Sequence, residues 1–141
     1  MRKNHVWRIL IMQKPQEPPN HPPTLRTVPL PADVNSNGDI FGGWVMSQMD
    51  IAGGVTASES AKGRVVTVAV DAMRFHKPIA IGDIVSLYTS IKKIGTTSIS
   101  IHIETWAKRA VSSENVMVTE GIFVYVAIDT NGRPRAILNK N

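Results

Sequence analysis

The chain has 141 residues, no cysteine and a formal net charge of +5, from 16 Lys and Arg against 11 Asp and Glu. Its length suits one domain, and 43% hydrophobic residues exclude a wholly disordered chain and a polytopic membrane protein. The lack of cysteine excludes a disulfide framework, Cys-ligated zinc, an iron–sulfur cluster and a thiol nucleophile. The modest positive charge is compatible with an anionic ligand but does not require one.

The N-terminal part of the chain is rich in proline, with seven of the nine prolines between residues 15 and 31. Because proline fixes φ and lacks an amide hydrogen, this stretch cannot be helix or central strand, and we predict a mobile tail over residues 1–23. Residues 1–12 combine a basic start with a short apolar run, but Arg8 interrupts the run and no small-residue cleavage site follows. This pattern disfavours a secretory signal. We expect translation to begin at Met12, a cytoplasmic location, and a second tail over residues 137–141.

A polar, glycine-rich loop over residues 33–43 leads into one predicted helix over residues 44–60. Apolar residues recur around most of this helix, so we predict that it is buried over most of its girth. Gly53 and Gly54 each weaken a helix by about 1 kcal/mol. We expect them to permit a close approach of the helix backbone to a sheet.

The rest of the chain has the pattern of β-strands. Strands are predicted over residues 65–70, over 84–91 after a Gly-Asp turn, and around Ile99, Ile101 and Ile103, which alternate with polar residues. Residues 116–128 are apolar on both faces, which is typical of a central strand, and residues 24–28 supply one more strand. Consecutive strands with one helix predict an antiparallel sheet of the α+β class. Because one helix leaves sheet edges and a face uncovered, we expect a homo-oligomer.

The loop before the helix carries the strongest chemical signal. Gly38, Gly42 and Gly43 allow sharp turns or a close backbone approach to a ligand. Asp39 precedes a helix whose first amides have no intrahelical partner, and such amides stabilise a carboxylate or a developing oxyanion. The simpler alternative is that Asp39 caps the helix.

Asp50 is a carboxylate inside the apolar part of the helix, which is costly unless it is paired. It is either a second catalytic carboxylate or the structural partner of a basic residue across an interface.

Other motifs are weaker. The four histidines, His5, His21, His76 and His102, are scattered without ligand spacing, so we predict neither a metal nor a cofactor. Basic groups at 92–93, 108–109 and 133–135 are either a solvated rim or contacts for a phosphate-bearing ligand. No aromatic–basic interleaving supports binding of nucleic acid, and no apolar run suits insertion into a membrane.

About four-fifths of the chain resembles the acyl-CoA thioesterases of the hotdog fold, of the small bacterial YciA type. The resemblance is carried in order by TLRT (24–27), NSNGDIFGGW (35–44), MSQMD (46–50), RVVTV (64–68), Phe75 with Lys77-Pro78 and Gly82-Asp83, GTTS (95–98), YVA (125–127) and GRPRA (132–136).

The resemblance implies a domain over residues 24–136, with a curved antiparallel sheet wrapped around one long helix. It implies dimers with shared sites, commonly assembled as a trimer of dimers, and hydrolysis of acyl-CoA to free acid and CoA, which is therefore part of substrate and product rather than a cofactor. Asp39 matches the position of the family's catalytic carboxylate, as general base on water or as a nucleophile.

Further roles follow from the resemblance. Backbone amides near Gly42 and Gly43 would hold the oxyanion, with Phe41 beside them, and Asn37 would orient the loop or the water unless it only forms a turn with Gly38. The partner subunit would contribute Asp50 or the strand residues Val66, Thr67 and Val68. Candidates for the CoA phosphates are Arg64, Lys108, Arg109, Arg133 and Arg135.

Two alternatives share the hotdog fold. A non-catalytic acyl-CoA sensor would gain nothing from a carboxylate beside the thioester. A dehydratase would place a histidine in the loop before the helix, and this loop contains none.

Overall fold

The computed structural model describes residues 17–138. One helix, α1 (Gly42–Ala61), packs on a sheet of five strands: β1 (Leu25–Thr27), β2 (Val65–Phe75), β3 (Ile84–Ile94), β4 (Ser98–Lys108) and β5 (Asn115–Ala127). The strand order is β1-β3-β4-β5-β2, and all pairs are antiparallel. The predicted α+β class and the interior position of the last strand are confirmed.

The sheet is amphipathic because its strands alternate. In β4 the side chains of Ile99, Ile101 and Ile103 are fully buried, whereas the intervening polar side chains are only half-buried. The isoleucines form one hydrophobic core with the helix residues Val45 and Met49. The helix therefore lies on one face of the sheet, called the inner face below, and the opposite face is the outer face.

The helix is not buried over most of its girth within one chain. Its buried residues form one stripe: Val45, Met49, Ala52, Gly53, Ala57 and Ala61. Ile51 is 53% exposed and Val55 is 43% exposed, on the side that faces away from the sheet. The sequence prediction is thus wrong for the isolated chain, since the sheet covers only one side of the helix.

The expected close approach of helix and sheet occurs at Gly53 and not at Gly54. A Cβ atom on Gly53 would collide with the hydroxyl of Tyr125 and lie 2.8 Å from Cδ1 of Ile103. A Cβ on Gly54 would lie 3.8 Å from the nearest atom, which is ordinary contact. Glycine is therefore required by packing at position 53 alone.

Strand β2 is an edge strand with an apolar surface. Val66, Val68 and Val70 are each more than a third exposed. Two irregularities interrupt its pairing with β5, between Thr67 and Ala69 and between Asp71 and Arg74. Bulges of this kind twist an edge strand and fix its register.

The segment before β1 lies along the outer face rather than standing free. The amide of Thr24 donates to the carbonyl of Leu87, and the ring of His21 meets that of Tyr88 edge-on at 5.7 Å between centroids. Among residues 17–138 no helix combines the length and apolar character needed to cross a bilayer. The signal and Met12 predictions, with most of the two tails, lie outside the described residues.

Candidate active site

The loop before α1 is organised by Asn35. Its side-chain Oδ1 accepts hydrogen bonds from the amides of Asn37 and Asp39, at 2.9 and 3.1 Å. Its carbonyl accepts from the amide of Gly38 at 3.1 Å, and Gly38 has a φ of +85°, which favours glycine. The predicted turn at Asn37 and Gly38 is confirmed, and the role of the Asn37 side chain in orienting water stays a prediction.

Asp39 does not cap the helix. The N-cap residue is Phe41, which makes no side-chain capping hydrogen bond. The Asp39 carboxylate has no hydrogen-bond or ion-pair partner among the described residues, although its backbone is fixed on both sides. The capping alternative is therefore wrong, and the half-buried carboxylate remains available for a ligand.

The two glycines at the start of α1 differ in their surroundings. A Cβ on Gly42 would lie 3.4 Å from the ring of Phe75, whereas a Cβ on Gly43 would meet no described atom within 4 Å. As the first residues of a helix, both amides lack an intrahelical acceptor, and within residues 17–138 neither makes another hydrogen bond. Phe41 is 50% exposed beside them.

Asp50 is held by two hydroxyl groups. Thr67 Oγ1 donates to Asp50 Oδ1 at 2.6 Å, and the Tyr125 hydroxyl lies 3.1 Å from both that oxygen and the Asp50 carbonyl oxygen. Thr67 comes from the edge strand and Tyr125 from the buried side of β5. The carboxylate is thereby oriented from two directions at the margin of the exposed apolar surface.

Tyr125 is the residue that the sequence reasoning missed. Burial, and then the negative charge of Asp50, raise the pKa of the Tyr125 hydroxyl far above its ordinary value of 10.0. The hydroxyl therefore stays protonated and always donates. The unexplained Gly53 was the available signal, because a large side chain had to lie opposite it.

The structure does not bring Asp39 and Asp50 together within one chain. Eight residues of helix separate Gly42 from Asp50, which is about 12 Å along the axis. Asp50 contacts Thr67, as the shared strand position suggested, and the neighbouring Val66 and Val68 are exposed. A single thioester cannot contact both carboxylates of one protomer.

The five basic candidates lie at two ends of the sheet. Lys108 pairs in register with Ile84 and Asn115, and Arg109 follows it, at the end where α1 begins. Arg64 precedes β2 and its carbonyl accepts from Ile128, near the end of α1. Arg133 and Arg135 follow β5 at that same end.

Two of these arginines have structural partners. Arg109 Nη1 forms an ion pair with the buried Asp83 at 2.5 Å and donates to the Pro78 carbonyl at 3.1 Å. Arg135 Nη2 donates to the carbonyl of Ala61 at 2.8 Å, which satisfies a free carbonyl at the end of α1. These contacts make both residues less suited to a ligand phosphate than Lys108, Arg64 and Arg133.

A second polar cluster lies away from Asp50. Glu120 accepts from His76 Nε2 at 2.9 Å, and His102 Nε2 lies 3.6 Å from its other oxygen. The hydrogen bond from His76 is the main cause that lowers the pKa of Glu120, against a smaller opposing effect of burial. No group of three or more His, Cys, Asp or Glu side chains between residues 17 and 138 is arranged to hold a metal ion.

Known proteins share both sequence and fold with this chain. A family model described as "Thioesterase superfamily" matches residues 37–113. The acyl-CoA thioester hydrolase YciA of Salmonella typhimurium is 54% identical over 116 residues, covering 80% of this chain and 87% of that protein. YciA of Escherichia coli K12 is 53% identical, with coverages of 80% and 88%.

Solved structures agree. The hexameric thioesterase y2039 from Yersinia pestis superposes with a TM-score of 0.81 at 54% identity, covering 86% of this chain and 98% of that one. The hexameric hotdog fold thioesterase Cj0915 of Campylobacter jejuni gives a TM-score of 0.80 at 39% identity, with coverages of 84% and 91%. The expected hotdog fold is confirmed.

Proposed function

This chain belongs to the thioesterase superfamily, among the YciA-type acyl-CoA thioester hydrolases, and we propose that it hydrolyses acyl-CoA to a free carboxylic acid and CoA in the cytoplasm. Relatives at more than 50% identity carry that activity in their names, and one neighbour is described as a broad specificity acyl-coenzyme A thioesterase. The observation that carries the proposal is a carboxylate, Asp50, oriented by Thr67 and Tyr125 beside an exposed apolar surface.

The catalytic site is shared between two copies of the chain. Asp39 and Asp50 of one protomer are too far apart for one thioester, and the apolar faces of α1 and β2 are uncovered in one chain. Pairing of two β2 strands around a two-fold axis would cover both faces. Because several structural neighbours are hexamers, we further propose that such dimers assemble as a trimer of dimers.

Two-fold pairing brings opposite ends of the two chains together. In an antiparallel pair, the first half of the partner's strand lies along the second half of β2, where Phe75 adjoins Gly42. The partner subunit's Asp50, tied to the partner subunit's Thr67, then approaches the loop that carries Asp39. One site thus receives a carboxylate from each chain.

The chemistry requires a base and an oxyanion site. The base takes a proton from water as the water oxygen bonds to the carbonyl carbon. The tetrahedral oxyanion then collapses, the carbon–sulfur bond breaks and CoA leaves as a thiolate, which needs little protonation at that step. Amides of Gly42 and Gly43 are suited to the oxyanion, and the loss of one such donor typically costs about 3 kcal/mol.

The identity of the base is the finer part of the proposal. The sequence favoured Asp39, as general base or as a nucleophile that forms a mixed anhydride. The geometry favours Asp50, because two hydroxyl groups hold its carboxylate in a fixed direction and a base needs such orientation. Asp39 remains the alternative. For the CoA phosphates we retain Lys108 at the start of α1, and Arg64 and Arg133 reaching in from the partner subunit.

Thiol release with a chromogenic disulfide reagent tests the function, since the chain has no cysteine to add background. Wild type, Asp39→Asn and Asp50→Asn are compared on short, medium and long acyl-CoAs, with the exposed Glu59→Gln as the matched control. We expect Asp50→Asn to lose on the order of 10²–10⁴-fold in kcat while folded, as for removal of a general base. The control should keep wild-type turnover.

Other outcomes are equally informative. A loss of that size in Asp39→Asn with Asp50→Asn active would make Asp39 the base. Binding of acyl-CoA by wild type without release of any thiol, at every chain length, would replace the hydrolase by the sensor.

A further inference from the structure

A cavity of about 270 Å³ opens on the outer face of the sheet, between β1, β3 and β4. The side chains that matter for its chemistry are those of Arg26, Ser86, Tyr88, Trp106 and Lys108, with Pro18 at its rim. In β3 the alternate residues Val85 and Leu87 are fully buried in the core with α1. The cavity is therefore separated from Asp50 of its own chain by the thickness of the sheet.

The cavity holds two cations and no carboxylate in its lining. Arg26 Nε donates to Ser86 Oγ at 2.8 Å, which fixes the direction of the guanidinium group. Lys108 extends into the same cavity from the end of β4, and within residues 17–138 it forms no ion pair. The neighbouring carboxylate is Glu104, whose Oε1 accepts from the Trp106 indole at 3.3 Å. The lining is thus positive, as a site for an anion requires.

Aromatic groups form the rest of the wall. Trp106 is 2% exposed and Tyr88 is 7% exposed, so both rings are held by packing. His21 supports Tyr88 from the N-terminal side, at 77° between ring planes. Rigid aromatic side chains beside cations are the combination that binds a flat base attached to phosphate.

From this arrangement we propose that the cavity binds the phosphorylated end of a purine nucleotide, with the base against Trp106 or Tyr88 and a phosphate between Arg26 and Lys108. The proposal gives a role to Arg26 in the TLRT motif, which the hydrolytic site does not use. Two sources supply this chemistry: the nucleotide end of a CoA whose thioester lies in the site of a neighbouring protomer, and a free nucleotide.

Binding is measured by calorimetry with ADP, adenosine and inorganic phosphate on the full chain. The test variants are Arg26→Gln with Lys108→Gln, and Lys108→Gln alone in case the pair does not fold. The matched control is Lys93→Gln, an exposed lysine toward the other end of β3. We expect ADP to bind wild type and the control alike, and the paired variant at least about tenfold more weakly, because each lost contact is charge-assisted.

The proposal is overturned if ADP and CoA release no binding heat at millimolar concentration, or if ADP binds wild type and the charge variants equally. Adenosine should bind more weakly than ADP, since it lacks the phosphates.

A turnover assay separates the two sources and rests on the proposed hydrolase function. Competition of ADP with acyl-CoA, together with a raised KM and an unchanged kcat in the variants, identifies the nucleotide end of CoA. ADP binding that leaves the KM for acyl-CoA unchanged identifies a free nucleotide. Because calorimetry needs no turnover, failure of the hydrolase proposal and failure of this one give different results.

Discussion

The packing of Gly53 against Tyr125 leads to a sharp prediction from two adjacent glycines. Replacing either Gly53 or Gly54 by alanine gains about 1 kcal/mol of helix propensity. Only at position 53 does the new methyl group enter occupied space, 2.8 Å from Ile103 Cδ1 and 3.0 Å from Tyr125 Cζ. Overpacking of this kind costs about 1–3 kcal/mol. Gly53→Ala should therefore destabilise by about 1 kcal/mol net, whereas Gly54→Ala should stabilise by a similar amount.

Thermal unfolding at one fixed protomer concentration measures the difference. For a chain of this length about 1 kcal/mol shifts Tm by roughly 4 °C, so the two variants should melt roughly 8 °C apart. In Gly53→Ala the displaced Tyr125 hydroxyl also releases Asp50, so kcat should fall more than Tm alone explains. If Gly53→Ala melts at or above the temperature of Gly54→Ala, the claim that glycine is required there is refuted.

Two further predictions follow from hydroxyl and imidazole contacts. Tyr125→Phe keeps the ring but removes a donor to Asp50, so kcat should fall on the order of tenfold with little change in KM; an unchanged kcat in the thiol-release assay would show that Thr67 alone orients the carboxylate. The pKa of Glu120 is lowered below its ordinary value of 4.5, mainly by His76. The resulting stability is present above that value and is lost as the pH falls through the lowered pKa. His76→Gln should therefore flatten the fall of Tm below pH 4.5, and an equally steep fall in both proteins would contradict the assignment.

Local patterns were sufficient to predict much of the fold. The alternation of Ile99, Ile101 and Ile103 defined a strand because its period of two does not depend on distant residues. The loop before α1 was recognisable because glycines and asparagines have specific backbone preferences. The sequence also predicted that a helix with glycine at position 53 approaches a sheet, though not which side chain it meets.

Contacts between distant strands were beyond the reach of the sequence. Tyr125 and Asp50 are 75 positions apart, and their contact depends on the registers of several strand pairs. The same is true of Glu120 between His76 and His102. The division of the basic residues between the two ends of the sheet also follows from register, which no local pattern encodes.

The prediction of helix burial failed for a related reason. The apolar residues of α1 correctly indicated that both of its sides avoid water, but one chain supplies a cover for only one side. A sequence records the burial of the assembled protein, whereas the isolated chain exposes Ile51 and Val55.

The irregular edge of β2 has a consequence for the fidelity of assembly. A regular strand accepts a second strand in many alignments, and a slip of two residues keeps every side chain on its face. In β2 the two bulges and the left-handed backbone of Ala72, with a φ of +49°, break that translational symmetry. Only a strand with the same spacing of irregularities, arranged around the two-fold axis, fits along its full length. The edge thus discriminates between its own copy and the exposed strands of other proteins.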